Sequence, residues 1–314
     1  MSVTQWLLEG DPAIRWQVLR DLVDAPADDV AAERARVEYE GWGARFLALE
    51  DHDGLWAGGA CFPAGYRGGE PGQPWTPTMH TLQTLQILGL GPGSESACRA
   101  ARLITENGRW EHAGEPYFAG ETEPCINGRV IEAGAYFGVD VGPVVERILA
   151  ERLDDGGWNC EAENGSVRSS FDTTLTVLDG LLRFERAVGG SGPVREARRA
   201  GEEYLLERGL FRRQSTGDVV QQEYLDFAFP YYWHYDVLRA LDYFRWSAAN
   251  AVPDPRMAEA VELVRSKRRP EGWWLLDRVH PGRVHFDLED GAGAPSRWNT
   301  LRALRVLNWW DAAA

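Results

Sequence analysis

The sequence has no continuous apolar stretch long enough to cross a bilayer, which excludes a membrane-spanning helix. Its amino end, Met1-Ser-Val-Thr-Gln-Trp-Leu-Leu-Glu-Gly, lacks both the basic start and the uninterrupted apolar core of a secretory signal, so a cytoplasmic location is the default expectation. Cysteines are few: four, at positions 61, 98, 125 and 160, with no CxxC pair, which excludes a disulfide framework and a zinc ribbon. Basic side chains also fall short, 33 Lys and Arg against 48 Asp and Glu, for a net charge of −15. A field of that sign repels phosphate, so nucleic acid and anionic membrane surfaces are excluded as partners.

What the chain does have is a globular share of hydrophobic residues, 44%, and 14 tryptophans. Many of these stand beside glycine or near a predicted helix start. Each brings a large apolar face and one N–H that wants a partner, so it either wedges a helix pair together or walls a pocket.

An internal repeat sets the architecture. One helical pattern recurs around Leu19, Leu82, Leu175, Leu238 and Leu301, separated by 63, 93, 63 and 63 residues, and the long gap holds a divergent copy beginning at Asn127. Each copy is followed by a second helix whose end runs into glycine and an aromatic: Asp53-Gly-Leu-Trp, Gly108-Arg-Trp, Asp155-Gly-Gly-Trp, Gly209-Leu-Phe and Glu271-Gly-Trp-Trp. The start, Trp6-Leu-Leu-Glu-Gly, matches such an ending. Leucines spaced by three and four residues make a stripe that buries against neighbours, and a glycine beyond the last turn ends a helix. Six such pairs predict an all-α single domain over residues 1–314, an α/α toroid of six inner and six outer helices. Helices are expected near 2–16 (broken by Gly10-Asp11-Pro12), 28–49, 76–89, 94–106, 125–138, 142–153, 171–186, 193–208, 232–248, 255–268 and 297–311. Long connections at 51–75, 108–124, 154–170, 209–230 and 270–296 are expected on one rim, where loops of that length tend to carry function.

The glycine-tryptophan endings, clearest in Asp155-Gly-Gly-Trp-Asn-Cys160, resemble the QW repeats of the terpenoid cyclase and protein prenyltransferase β-subunit superfamily, which is built as an α/α toroid. The resemblance implies an aromatic central pocket for an apolar isoprenoid and acid-initiated cyclisation or isomerisation. Class II cyclases protonate their substrate with Asp-x-Asp-Asp ahead of an inner helix. The matching place reads Ser169-Ser170-Phe171-Asp172, which keeps only the last aspartate. The Asp-x-Cys and histidine of the prenyltransferase zinc site are replaced by Tyr232-Trp-His-Tyr235 and Arg297-Trp-Asn-Thr300, so no metal cofactor is expected from the resemblance.

Parallel inner helices would bring their first residues to one mouth. Asp172, His80 and His234 are the candidate catalytic groups there, each with a structural alternative as a helix cap or a packed imidazole. Trp16, Cys125, Asn127, Phe171, Phe229, Tyr232, Trp233, Tyr235, Trp298 and Asn299 are the candidate substrate-binding wall, because aromatic faces bind cationic and apolar ligands. A divalent metal held among Cys125, His80, His234 and Asp172 is a reserve reading. Glu161, Glu163, Asp287, Glu289 and Asp290 lie in long loops and read as solvated or calcium-attracting, although the run from Asp287 to Asp290 could replace the missing acid. Two other functions fit the same pattern: a non-catalytic binder of an apolar or cationic molecule, and a carbohydrate-active (α/α)6 enzyme with paired rim acids.

Overall fold

Three tryptophans that follow a glycine make one hydrogen-bond motif in the computed structural model, which describes residues 2–248 and 252–312. The indole N–H groups of Trp56, Trp158 and Trp274 donate to the carbonyls of Phe46, Ile148 and Val264 at 2.8, 2.8 and 2.7 Å, each ten residues upstream near the end of a helix. Their backbone N–H groups donate to the hydroxyls of Thr78, Thr174 and Thr300 at 3.1, 3.1 and 2.9 Å, each in the first turns of the next helix. All three rings are fully buried. The repeat seen in the sequence is therefore a clamp that locks the end of one helix to the start of the following one.

The fold is all-α, as expected of an α/α toroid. The helices are α1 (Val3–Leu8), α2 (Pro12–Asp21), α3 (Ala27–Ala35), α4 (Gly41–Leu47), α5 (Thr78–Leu88), α6 (Glu95–Asn107), α7 (Pro124–Phe137), α8 (Gly142–Ala150), α9 (Phe171–Val188), α10 (Gly192–Leu206), α11 (Val237–Ser247), α12 (Ala258–Ser266) and α13 (Arg297–Asp311). No helix among the described residues is long and apolar enough to cross a membrane.

The chain divides into two compact units, one of residues up to Trp42, Leu205–His280 and from Phe286 onward, the other of Gly43–Tyr204 with Pro281–His285. In the second unit α5 is buried on nearly every face, and α7 and α9 are packed backbone to backbone. Gly128 and Gly180 permit that approach: a Cβ on Gly180 would lie 2.4 Å from the carbonyl oxygen of Gly128, and one on Gly128 would lie 2.7 Å from that of Thr176. In the first unit α13 packs against α2, α11 and α12. Arg305 ties three of these together, donating to Gln17 at 2.9 Å and to Asp242 at 2.8 Å, while Arg245 reaches the same Asp242 oxygen at 2.9 Å.

Three local expectations change. The helix expected over 28–49 is split, because Asp11 caps twice: one oxygen accepts from Ala13 N–H at 2.9 Å and the other from Trp42 N–H at 2.8 Å. Gly41, at φ +63°, turns the chain there, and a Cβ on it would strike Asp11 at 2.0 Å. The helix expected from 232 begins at Val237, since Asp236 caps it by accepting from Arg239 N–H at 2.6 Å. The loop expected over 270–296 contains a short antiparallel ladder, β1 (Trp274–Leu275) with β2 (Pro295–Ser296).

Candidate active site

In the first unit, β2 delivers Ser296 to the start of α13. Its hydroxyl caps the helix by accepting from Asn299 N–H at 2.9 Å and donates to Glu289 Oε1 at 2.5 Å. The same Glu289 oxygen accepts the backbone N–H of Trp298 at 3.1 Å. Burial pushes the Glu289 carboxyl up to about 7, against the opposing pull of Ser296 and of the Trp298 and Arg297 amides, with Asp290 adding repulsion. A carboxyl that is half protonated near neutrality is suited to giving and taking protons. Glu289, grouped by sequence with solvated rim acids, is thus a largely enclosed acid on a helix start. The signal that could have found it is the Ser-x-x-Asn cap beginning at Ser296, seven residues downstream.

Aromatic rings extend from this carboxyl. Trp298 stacks on Phe229 with centroids 4.4 Å apart and on Trp42 at 6.2 Å. Phe229 meets Tyr231 edge-on at 6.3 Å, and the guanidinium groups of Arg239 and Arg302 sit over the Tyr231 ring at 4.8 and 5.0 Å. Trp298 and Phe229 are buried, whereas Trp42 and Tyr231 keep part of their surface open and Trp233 is exposed.

Several buried polar atoms of this unit lack a hydrogen-bond partner, among them Trp298 Nε1, Asp236 Oδ2, Arg302 Nε and Nη2, and His280 Nε2. Asp236 Oδ1 lies 3.5 Å from Arg302 Nη2, and burial raises the Asp236 carboxyl although Arg302 and Arg239 oppose it. Burial, aided by Arg278 and Arg239, lowers His280 to about 4, so it is neutral at physiological pH. Orphaned buried donors and acceptors each cost about 1–3 kcal/mol, so such a group is where a polar ligand would be held. None of Asp236, Arg302 and Ser296 was singled out from sequence.

The remaining sequence-selected residues of this unit fall as follows. His234 packs edge-on between Trp233 and His280, at 3.7 Å from each ring centroid. Tyr232, at φ +49°, is buried beside His280, and burial together with Asp287 raises its phenol. Tyr235 donates its hydroxyl to the Leu210 carbonyl at 2.5 Å. Asn299 is buried and clamps two loops, donating to the carbonyls of Phe227 and Leu275, both at 3.0 Å. Trp16 lies on α2 with Arg20 and Arg34 over its ring at 4.5 and 5.1 Å.

The second unit holds the others. His80 is buried, 3.0 Å from the Gln73 amide nitrogen and edge-on to Trp75, and burial with Arg129 lowers it to about 3. Asn127 is buried and also bonds backbone, accepting from Glu121 N–H at 2.8 Å and donating to the Glu121 carbonyl at 2.7 Å. Asp172 lies half-buried in the first turn of α9, but the cap is Ser170, which accepts from Thr173 N–H at 3.2 Å. Phe171 packs edge-on to Tyr204 at 5.6 Å. Cys125 meets neither His80 nor Asp172 in a metal cluster; its partners are Glu123 and Cys160, whose donor atoms and its own all lie within 4.8 Å of one another.

No known family profile matches the sequence, and no curated protein does. Among solved structures it is similar to a polysaccharide lyase, at 12% identity and a TM-score of 0.43 over 76% of this chain and 73% of that one. It is also similar to a family 88 glycosyl hydrolase from Bacteroides vulgatus, at 8% identity and a TM-score of 0.48 over 99% and 90% of the two chains. Both are carbohydrate-active proteins by name, and neither is a terpenoid cyclase or a prenyltransferase. The kinship expected from the glycine-tryptophan endings is corrected accordingly, together with the isoprenoid ligand and the cyclisation or isomerisation it implied. The physical reason is local: three of those tryptophans, Trp56, Trp158 and Trp274, are helix clamps, and the aromatic cluster is interleaved with arginines and orphaned polar atoms that an isoprenoid could not satisfy.

Proposed function

We propose that the chain is a carbohydrate-active enzyme that cleaves a glycosidic bond by general acid catalysis at the amino ends of α11 and α13, with Glu289 as the proton donor. The observation that carries this reading is the enclosed Glu289 carboxyl, held by Ser296 and Trp298 beside an aromatic cluster that contains unpaired buried polar atoms. Sugars combine apolar C–H faces, which stack on rings, with hydroxyls that both donate and accept, and this unit offers partners for both. Protonation of the leaving-group oxygen by a carboxyl kept neutral near pH 7 is the step that such cleavage needs. Asp236, with Oδ2 lacking a donor, is the candidate second carboxyl.

The test is release of reducing ends from a panel of neutral and acidic oligosaccharides. Wild-type protein is expected to act on at least one of them, and Glu289→Gln to lose about a hundredfold to ten-thousandfold in rate with its fold intact. Incorporation of oxygen from labelled water separates hydrolysis from elimination. No product and no thermal shift across the panel, or an unchanged rate in Glu289→Gln, would overturn the proposal.

A further inference from the structure

The second unit holds a cluster of soft ligand atoms that the reading of Glu289 does not use. Cys125 stands in the first turn of α7, behind Pro124 and with no side chain capping that helix. Its sulfur lies 3.5 Å from Glu123 Oε2 and 2.8 Å from the sulfur of Cys160. Cys160 opens a short 3-10 turn, Cys160–Ala162, and is held from behind by Thr173 in α9. The Thr173 hydroxyl donates to the Cys160 sulfur at 3.4 Å and accepts the Cys160 backbone N–H at 3.4 Å. The two cysteines are partly accessible and Glu123 is exposed, so an ion has a path in.

We propose that Glu123, Cys125 and Cys160 form a binding site for a soft divalent metal ion of the zinc class. Two sulfurs and one carboxylate are the donors such an ion selects, whereas calcium and magnesium take oxygen alone. Three protein ligands leave a fourth tetrahedral position for water or a further ligand. Tetrahedral zinc with bonds of about 2.3 Å to sulfur separates two sulfurs by about 3.8 Å, so binding parts these two by about 1 Å. That displacement falls on the short turn carrying Cys160 rather than on α7. Thr173 is the outer partner that orients one ligand, as a metal site requires.

The experiment titrates cobalt(II) into the reduced, metal-free full-length protein and follows thiolate-to-metal charge-transfer absorption. One equivalent is expected to saturate the band, and zinc to displace the cobalt and abolish it. Cys125→Ser and Cys160→Ser should each lose the band, Cys98→Ser should keep it, and Glu123→Gln should weaken cobalt binding about tenfold or more. Glu123 is exposed, so its substitution tests the site even where a cysteine variant fails to fold. Absence of the band in reduced wild-type protein would overturn the proposal, as would a band that persists in both cysteine variants. A Cys125–Cys160 disulfide in the isolated protein, with no metal uptake after reduction, would likewise overturn it.

Discussion

Glu289 accepts the backbone N–H of Trp298, and the ring of that same tryptophan stacks on Phe229, so one residue fixes both the acid and the aromatic cluster beside it. Because the carboxyl is held by the start of α13 rather than by a mobile loop, its protonation state is a property of the fold.

The pH dependence follows from the sign of that shift. Burial raises Glu289 from an ordinary 4.5 to about 7, so the folded chain holds this proton more tightly than the unfolded chain does. The resulting stabilisation is complete below the unfolded value and is lost as pH rises through the folded one, a change on the order of 3 kcal/mol. Glu289→Gln does not titrate. Its melting temperature relative to wild type should therefore rise between about pH 3.5 and about pH 8 (about one unit beyond either end of the shift), which thermal melts at the two values would show. Catalytic rate, if Glu289 is the acid, should fall on the alkaline side of the same titration.

The tryptophan clamp predicts a second effect. In Thr300→Val the backbone N–H of Trp274 loses its acceptor inside a buried junction, at a cost of about 1–3 kcal/mol. Thr174→Val should cost a similar amount at Trp158, because the geometry is the same. Urea denaturation of the two single variants checks this, and a loss confined to one of them would show that the motif is not energetically repeated.

Much of this fold was legible because its signals are local. The leucine stripes, the helix-ending glycines and the recurring tryptophans all lie within one helix pair, and the clamps at Trp56, Trp158 and Trp274 fall where the repeat placed them. What could not be read depends on partners far along the chain. The helix break at Gly41 is imposed by Asp11, about thirty residues away, and the burial of Glu289 depends on the ladder that brings Ser296 beside it. Asn127 and Asn299 look like ligands in sequence because each lies near an expected inner-helix start. Their amides are instead taken up by backbone groups, of Glu121 for Asn127 and of Phe227 and Leu275 for Asn299. Asp172 is half-buried in the first turn of α9, where Ser170 is the residue that caps.

Close packing of α7 on α9 gives a third prediction. A methyl group on Gly180 would lie 2.4 Å from the Gly128 carbonyl oxygen, which belongs to rigid helix backbone and cannot swing aside. Gly180→Ala should destabilise by about 1–3 kcal/mol or more, although alanine is the better helix former. Gly192→Ala, at the start of α10 with no heavy atom within 4 Å of the added carbon, is the control and should be near neutral. Equal melting temperatures for the two variants would contradict the backbone contact.

Trp42 provides the sharpest test of whether the aromatic cluster meets substrate. Trp298 and Phe229 are buried and serve as backing, but Trp42 stacks on Trp298 from a partly open position at the start of α4. A ring that merely carries a sugar face interacts equally with ground state and transition state, so its removal changes binding rather than chemistry. Trp42→Ala should raise KM for the oligosaccharide by roughly threefold to tenfold, the worth of one stacking contact, and leave kcat nearly unchanged. Glu289→Gln should do the reverse, lowering kcat with little effect on KM. Steady-state kinetics on the two variants separates these roles, and a fall in kcat for Trp42→Ala equal to that for Glu289→Gln would place the ring in the structural support of the acid instead.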